Sequence, residues 1–227
     1  KNVNFRIWNQ FLFCSLSENS DIEKIFAILD KHNNYIPFNK LEYDAQSSKV
    51  YDINANWLLY CENYLEGLHV PFVHPDLNKD IDIKSYKVEL HENCILQTAM
   101  TKNKKMAFDK SMHIGDKNLY LYALYFFIFP NIMINIYQWG ISMNVIEPIS
   151  KNRTRVKFIS LPIKGKSQHL SINSSIDTIE IEDQSVVESV QKGMESKLYN
   201  RGKYSQLHEK GIHHFHRYII RELKDFC

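Results

Sequence analysis

The chain has 227 residues, of which 44% are hydrophobic and 24% are charged, proportions typical of a folded globular protein with a buried core. Its 28 Lys and Arg residues nearly balance 26 Asp and Glu residues, and a formal net charge of +2 argues against a nucleic-acid-binding surface. The longest apolar run, residues 119–130, is shorter than the roughly 20 residues that cross a bilayer, so we expect no membrane span.

The cysteines and glycines exclude several common sites. The cysteines are scattered and form no CxxC or CxH pair, so we expect neither a disulfide framework nor a cysteine-ligated metal; they are Cys14, Cys61, Cys94 and Cys227. Free thiols are typical of a reducing compartment, which predicts a cytoplasmic protein. The 7 glycines contain neither GxGxxG nor GxxxxGK[ST], so no dinucleotide site or P-loop is expected.

The first half of the chain predicts one or two strands and two helices. Residues 5–16 are rich in aromatic and β-branched side chains and are interpreted as one or two strands. Residues 22–31 predict a short helix capped by Ser20 or Asp21. Apolar residues recur at helical spacing over residues 57–69, and Pro71 is expected to end that helix.

The second half predicts an antiparallel sheet followed by two helices. Period-two, aromatic-rich segments between residues 82 and 161 indicate consecutive strands, with turns at 102–105, 115–118 and 150–153. A long helix is expected over 171–199 and a short one over 213–223. Helices at either end of one antiparallel sheet make a single α+β domain, residues 1–227.

Two histidines near Pro71 are the first candidates for chemistry. His69 and His74 are five residues apart, which on an ideal helix places them about 140° apart around the axis. Because Pro71 interrupts the helix, His74 can fold back beside His69, and two imidazoles there suit iron or zinc. The alternative is a pair of packed or capping histidines.

Asp183 is the carboxylate candidate. It lies in the predicted long helix among apolar residues, and an inward-facing acid needs a compensating partner such as a metal. Two histidines and one carboxylate form the facial triad of mononuclear non-haem Fe(II) oxygenases. The alternative places Asp183 on a solvated face beside Glu180 and Glu182.

Three blocks of sequence resemble one family. The first block, residues 56–75, has the pattern N-W-x-x-x-x-E-N-x-x-E-x-x-H-x-x-x-x-H-P. It is similar to the iron-binding signature in the catalytic domain of Rieske non-haem iron oxygenase α subunits. Residues 182–205 and 209–223 resemble the same family, most closely the branch that includes choline, glycine betaine and carnitine oxygenases; residues 129–148 fit this branch too. The resemblance extends from about residue 5 to residue 223.

The resemblance implies a fold and a set of roles. The fold is a helix-grip (START/Bet v 1-like) domain, in which a long helix packs across a twisted antiparallel sheet. His69, His74 and Asp183 match the ligands of a mononuclear Fe(II). Glu66 matches the acidic residue that bridges to the Rieske cluster of a neighbouring subunit, and Asn63 a polar residue near the iron. Without the resemblance, Glu66 and Asn63 would be interpreted as an exposed helix face.

The implied activity is O₂-dependent hydroxylation of a small organic substrate, aromatic or quaternary amine, by a mono- or dioxygenase. Electrons would come from NAD(P)H through a reductase and a Rieske [2Fe–2S] cluster, within a homotrimer. The sequence contains neither CxH nor CxxH, the ligand motifs of such a cluster. We therefore expect the catalytic portion alone, with residues 1–16 as the remnant that joins a Rieske domain, and a cluster on another polypeptide.

Other residues have two interpretations each. Candidates for the pocket wall, which could equally be core, are Tyr125, Phe127, Tyr137 and Trp139. The cluster His213, His214 and His216 resembles a second metal site, but a structural role is preferred. Two rival functions stay open: a non-catalytic ligand-binding module of the same fold, and a zinc hydrolase with the same ligands and Glu66 as base.

Overall fold

The computed structural model describes residues 3–15, 22–108, 118–166 and 176–224. The strands are β1 (Asn4–Trp8), β2 (Phe11–Ser15), β3 (Lys49–Ile53), β4 (Lys87–His91), β5 (Cys94–Thr101), β6 (Tyr120–Ile128), β7 (Ile132–Tyr137), β8 (Gly140–Ser150) and β9 (Arg153–Pro162). The α-helices are α1 (Ile22–Asp30), α2 (Trp57–Tyr64), α3 (Val70–Val73), α4 (Leu77–Asp80), α5 (Ile176–Met194) and α6 (Lys210–Lys224).

Seven strands form one antiparallel sheet in the order β3-β9-β8-β7-β6-β5-β4, and β1 pairs with β2 in a separate ribbon. From β4 to β9 each strand pairs with the next one along the chain, which confirms the predicted run of antiparallel strands and the α+β class. The sequence analysis missed β3. This strand forms one edge of the sheet and pairs with β9, with Lys49 opposite Phe158.

The two faces of the sheet pack against different layers. Because side chains alternate along a strand, Phe126 and Phe127 on β6 point to opposite faces. Phe126 belongs to a core shared with α1 and the β1–β2 ribbon, including Trp8. Phe127 belongs to a core shared with α2, α5 and α6, including Val187 and Phe215. The helices that carry the candidate ligands therefore lie on the second face.

The second helix ends earlier than predicted. α2 stops at Tyr64, not at His69, because the Glu66 carboxylate accepts hydrogen bonds from the backbone N–H groups of Leu68 and His69. Pro71 does not end α2; it lies in the first turn of α3, where a missing N–H is tolerated. His69 and His74 consequently flank α3 at its two ends.

The long helix also ends earlier, at Met194 and not at Tyr199. Residues 194–204 are exposed, Leu198 by 95%, so little packing is available there to extend the helix. The predicted last helix is present as α6.

Residues 171–175, the turn residues 115–117, Ser20 and Asp21 lie outside the described residues. Within the described part of the chain, no helix is long and apolar enough to span a membrane.

Candidate metal centre

Three potential ligands converge between α3 and α5. His69 and His74 flank α3, and Asp183 comes from the middle of α5. Oδ1 of Asp183 lies 2.9 Å from Nε2 of His74 and 3.5 Å from Nε2 of His69. One ligand atom from each residue lies within 4.8 Å of the others. Ligand atoms about 2.1 Å from one ion at right angles lie about 3 Å apart, so this donor set fits a facial triad.

Each histidine is held through its other ring nitrogen. Oε1 of Glu66 lies 2.5 Å from Nδ1 of His69, and Oε2 of Glu182 lies 2.7 Å from Nδ1 of His74. Asn63 donates a hydrogen bond of 2.7 Å from Nδ2 to Oδ1 of Asp183. A carboxylate on the far side of an imidazole fixes its orientation and increases its basicity, as in known metal sites. The Nε2 atoms are thereby directed towards Asp183.

The acidic residues around the site are not a solvated face. Glu66 is 8% exposed and Glu180 is 6% exposed, and Glu182 contacts His74. The interpretations that placed Glu66 on an exposed helix face, and Asp183 on a solvated face beside Glu180 and Glu182, are therefore wrong. Asn63, which is partly buried, contacts Asp183.

The electrostatics of the site favour a positive charge between the carboxylates. Burial alone would lower the pKa of His74, but hydrogen bonds and charges from Asp183 and Glu182 outweigh it and raise that pKa. The imidazole of His74 lies between the carboxylates of Asp183 and Glu182, which stabilise positive charge at this point. A divalent cation bound at the Nε2 side would be stabilised by the same negative charge.

A cavity of about 120 Å³ adjoins the three ligands. Five tyrosines line it: Tyr60, Tyr64, Tyr86, Tyr125 and Tyr137. Of the predicted wall residues, the structure places Tyr125 and Tyr137 at the cavity, whereas Phe127 and Trp139 belong to the core. Phe127 packs edge-on against Phe215 with ring centroids 5.3 Å apart, which explains why its side chain is unavailable to the cavity.

Glu180 is a cavity residue that the sequence analysis missed. It accepts a hydrogen bond from the Tyr60 hydroxyl. Burial raises the pKa of Glu180 to about 7; the bond from Tyr60 opposes the rise, and the charge of Asp183 adds to it. A signal was present, because Glu180 precedes Asp183 by three residues and such residues share one face of a helix.

The histidines of α6 have structural partners. Nε2 of His214 lies 2.8 Å from the backbone oxygen of His91, and Nε2 of His216 lies 2.8 Å from Oε1 of Glu62. Among the described residues, the group able to hold a metal is His69, His74 and Asp183. These contacts agree with the preferred structural role for this cluster.

Residues 40–225 match the family model of the ring hydroxylating alpha subunit, catalytic domain. The chain belongs to this family. It is 34% identical over 181 residues to choline monooxygenase of Arabidopsis thaliana, a chloroplastic protein, covering 78% of this chain and 41% of the relative. It is 28% identical over 190 residues to the carnitine monooxygenase oxygenase subunit of Escherichia coli K12, covering 75% of this chain and 48% of the relative. The chain thus spans less than half of the length of these relatives.

Solved structures of this family share the fold. A quaternary ammonium Rieske monooxygenase superposes with a TM-score of 0.75 at 20% identity, over 96% of this chain and 61% of the other. Naphthalene 1,2-dioxygenase from Rhodococcus sp. gives a TM-score of 0.68 at 14% identity, over 96% of this chain and 65% of the other. The expected resemblance to Rieske oxygenase catalytic domains and the helix-grip-like architecture are confirmed.

Proposed function

We propose that the chain is the catalytic portion of an O₂-dependent oxygenase in which His69, His74 and Asp183 hold one Fe(II). The observation that carries this proposal is the convergence of the three ligand atoms within 4.8 Å beside a tyrosine-lined cavity. Two imidazoles and one carboxylate suit ferrous iron and leave coordination positions open. The bound iron would supply activation of O₂ for hydroxylation of a small organic substrate.

The surrounding side chains act as positioning residues. Glu66 and Glu182 each fix one histidine ring through Nδ1, and Asn63 fixes the Asp183 carboxylate. Because these bonds already orient the two rings and the carboxylate, the ligand side chains would need little rearrangement to bind a metal. The tyrosines that line the cavity would exclude water from a substrate bound beside the ligands.

Electrons would reach the site from a Rieske [2Fe–2S] cluster on another polypeptide, supplied by an NAD(P)H-dependent reductase. Glu66, in contact with His69, is the residue proposed to connect the cluster to the ligand set. Leu68 and Phe72 beside it are exposed, Phe72 by 82%, and offer an apolar contact for that partner. A homotrimer would bring such a cluster close, and sedimentation that detects only monomers would contradict this arrangement.

The proposed substrate is a quaternary amine in preference to an aromatic ring compound. The relatives are named for choline and carnitine, and the chain is more similar in sequence to them than to naphthalene 1,2-dioxygenase. Aromatic faces attract organic cations, and five tyrosines line the cavity.

Metal content tests the proposal. After anaerobic reconstitution with Fe(II), we expect one iron per chain in the wild type and none in the His69→Ala, His74→Ala double variant. His208→Ala is the matched control, because His208 is exposed and lies outside the ligand set. No iron in the wild type, or stoichiometric zinc that survives the double substitution, would contradict the oxygenase assignment.

A further inference from the structure

A line of oxidisable rings leads away from the candidate metal centre. Tyr125 and Tyr137 line the same cavity as the three candidate ligands. Their ring centroids are 5.9 Å apart, and the ring of Tyr137 stacks on that of Trp139, with centroids 5.3 Å apart and 13° between the ring planes. Rings at these separations are in contact. Trp139 does not line the cavity but lies in the turn between β7 and β8, so the three rings connect the cavity wall to that turn.

The two tyrosines also share a hydrogen bond. Burial raises the pKa of both phenols, and the bond between their hydroxyls opposes the rise at Tyr125 and adds to it at Tyr137. A hydrogen bond favours the deprotonated form of its acceptor, so Tyr137 is the donor and Tyr125 is the acceptor. The hydrogen of Tyr137 therefore lies between the two oxygens, where it can move from one phenol to the other.

Trp139 differs from the other two tryptophans in its ring neighbours. In the described part of the chain, Trp8 packs against three phenylalanine rings and Trp57 against Phe215. Phenylalanine is much harder to oxidise than tyrosine or tryptophan, so these contacts cannot relay an oxidation. Trp139 is 3% exposed and Trp8 is 1% exposed, whereas Trp57 is partly exposed. An oxidant in solution would therefore reach Trp57 first, and one in the cavity would reach Trp139 through the tyrosines.

We propose that Tyr125, Tyr137 and Trp139 form a path that removes oxidising equivalents from the candidate metal centre when oxygen is reduced without a bound substrate. The path protects the ligand side chains from oxidation. This inference rests on the proposed function, since the oxidant arises at the iron site. It adds a protective activity that hydroxylation of a substrate does not itself require.

The electrons and protons of the path are balanced. Hydrogen peroxide, the product of incomplete oxygen reduction, takes up two electrons and two protons to give two water molecules. One electron would come from Fe(II), which becomes Fe(III), and the other from Tyr125 together with its phenolic proton; solvent supplies the second proton. Tyr137 then passes its hydrogen-bonded hydrogen atom to the Tyr125 oxygen. Trp139 gives one electron and its Nε1 proton, which restore Tyr137, and a thiol or ascorbate in solution returns a hydrogen atom to Trp139.

The distribution of oxidised tryptophans tests the path in the wild-type chain. The chain is loaded anaerobically with Fe(II), treated with one equivalent of hydrogen peroxide without substrate, digested, and analysed by peptide mass spectrometry. We expect oxidation at Trp139 to exceed that at Trp57 several-fold, and to exceed that at Trp8, which is similarly buried. Oxidation that is greatest at Trp57, or that is confined to the ligands His69 and His74, would overturn the proposal.

A variant in the middle of the path assigns the transfer to a residue. Tyr137→Phe keeps a ring for packing but removes the oxidisable phenol, so we expect oxidation at Trp139 to fall to the level of Trp8. Tyr86→Phe is the matched control, because Tyr86 lines the same cavity but no ring contact within the described residues joins it to Trp139. Oxidation at Trp139 that persists in Tyr137→Phe, or that is lost equally in both variants, would contradict the path.

A variant at the end of the path tests the protective role. In Trp139→Phe the radical has no further donor, so freeze-quench electron paramagnetic resonance should show a tyrosyl radical that decays several-fold more slowly than in the wild type. Oxidation of His69 and His74, measured by mass spectrometry, should increase. Unchanged radical lifetime and unchanged histidine oxidation would contradict protection. Thermal unfolding identifies a misfolded variant, and in that case the wild-type comparison of the three tryptophans still decides.

The iron-free chain separates the path from the proposed function. In the His69→Ala, His74→Ala double variant we expect the preference for Trp139 to disappear, and a preference that persists there would show that the oxidation does not begin at the ligand set. Iron content is measured on the same samples. A chain that binds iron but shows no preference for Trp139 contradicts only the path, whereas a wild-type chain that binds no iron contradicts the proposed function and, with it, the path.

Discussion

Nε2 of His74 lies 2.9 Å from Oδ1 of Asp183, although the two residues are 109 positions apart in the chain. His74 follows α3 and Asp183 lies on α5, so the contact exists only because these two helices pack together over one face of the sheet. Glu182, the neighbour of Asp183, contacts the other nitrogen of the same ring. Consecutive residues of α5 therefore hold both sides of one imidazole.

Removing the charge of Glu182 should weaken metal binding without removing a ligand. In Glu182→Gln, His74 keeps a hydrogen-bond acceptor at Nδ1 but loses the carboxylate that increases its basicity, and we expect the Kd for Fe(II) to rise roughly 10- to 100-fold. Anaerobic competition with a chelator measures this. Glu188→Gln is the control, because Glu188 lies on the same helix but accepts hydrogen bonds from Asn54. An unchanged Kd in Glu182→Gln would show that this contact does not support the site.

A glycine at the start of α6 should be indispensable for packing. A Cβ atom at Gly211 would lie 2.5 Å from the backbone oxygen of Leu65, which follows α2, so Gly211→Ala must displace one backbone from the other. We expect a loss of about 1–3 kcal/mol in the free energy of unfolding, measured by chemical denaturation. At Gly193 in α5 a Cβ meets nothing within 4 Å, and Gly193→Ala should be neutral or stabilising by up to about 1 kcal/mol. Equal stability of the two variants would contradict this explanation.

Glu180 should make the stability of the metal-free protein fall with rising pH. Burial raises its pKa from 4.5 to about 7, so between these values the folded state binds more protons than the unfolded state. The free energy of unfolding then decreases as pH rises through this window and becomes level above it. Glu180→Gln removes this contribution. The free energy of unfolding of the variant, relative to that of the wild type, should therefore rise by roughly 3 kcal/mol between pH 4.5 and pH 8. Urea unfolding measures this free energy at each pH. If it changes with pH in the same way in both proteins, Glu180 does not have the raised pKa of a buried carboxyl.

Local patterns predicted most of the elements, and the errors have a common cause. The strands between residues 82 and 161 and the helix α6 follow from side-chain periodicity, which is a property of the neighbouring sequence. The end of α2 depends on the Glu66 side chain folding back onto the N–H groups of Leu68 and His69, a competition that periodicity does not report. β3 was missed because a short strand gains its stability from the partner strand, here β9.

The sequence by itself determined the α+β class, the family resemblance and the candidate ligands His69, His74 and Asp183, because residue type and spacing carry that information. Only the tertiary structure decided which side chains share the cavity. Tyr125 reaches it and Phe127 does not, although both point to the same face of β6, because Phe127 is covered by α6. Glu180 likewise becomes a buried cavity group only through the packing of α5 against α2, which excludes the water that would otherwise solvate its charge.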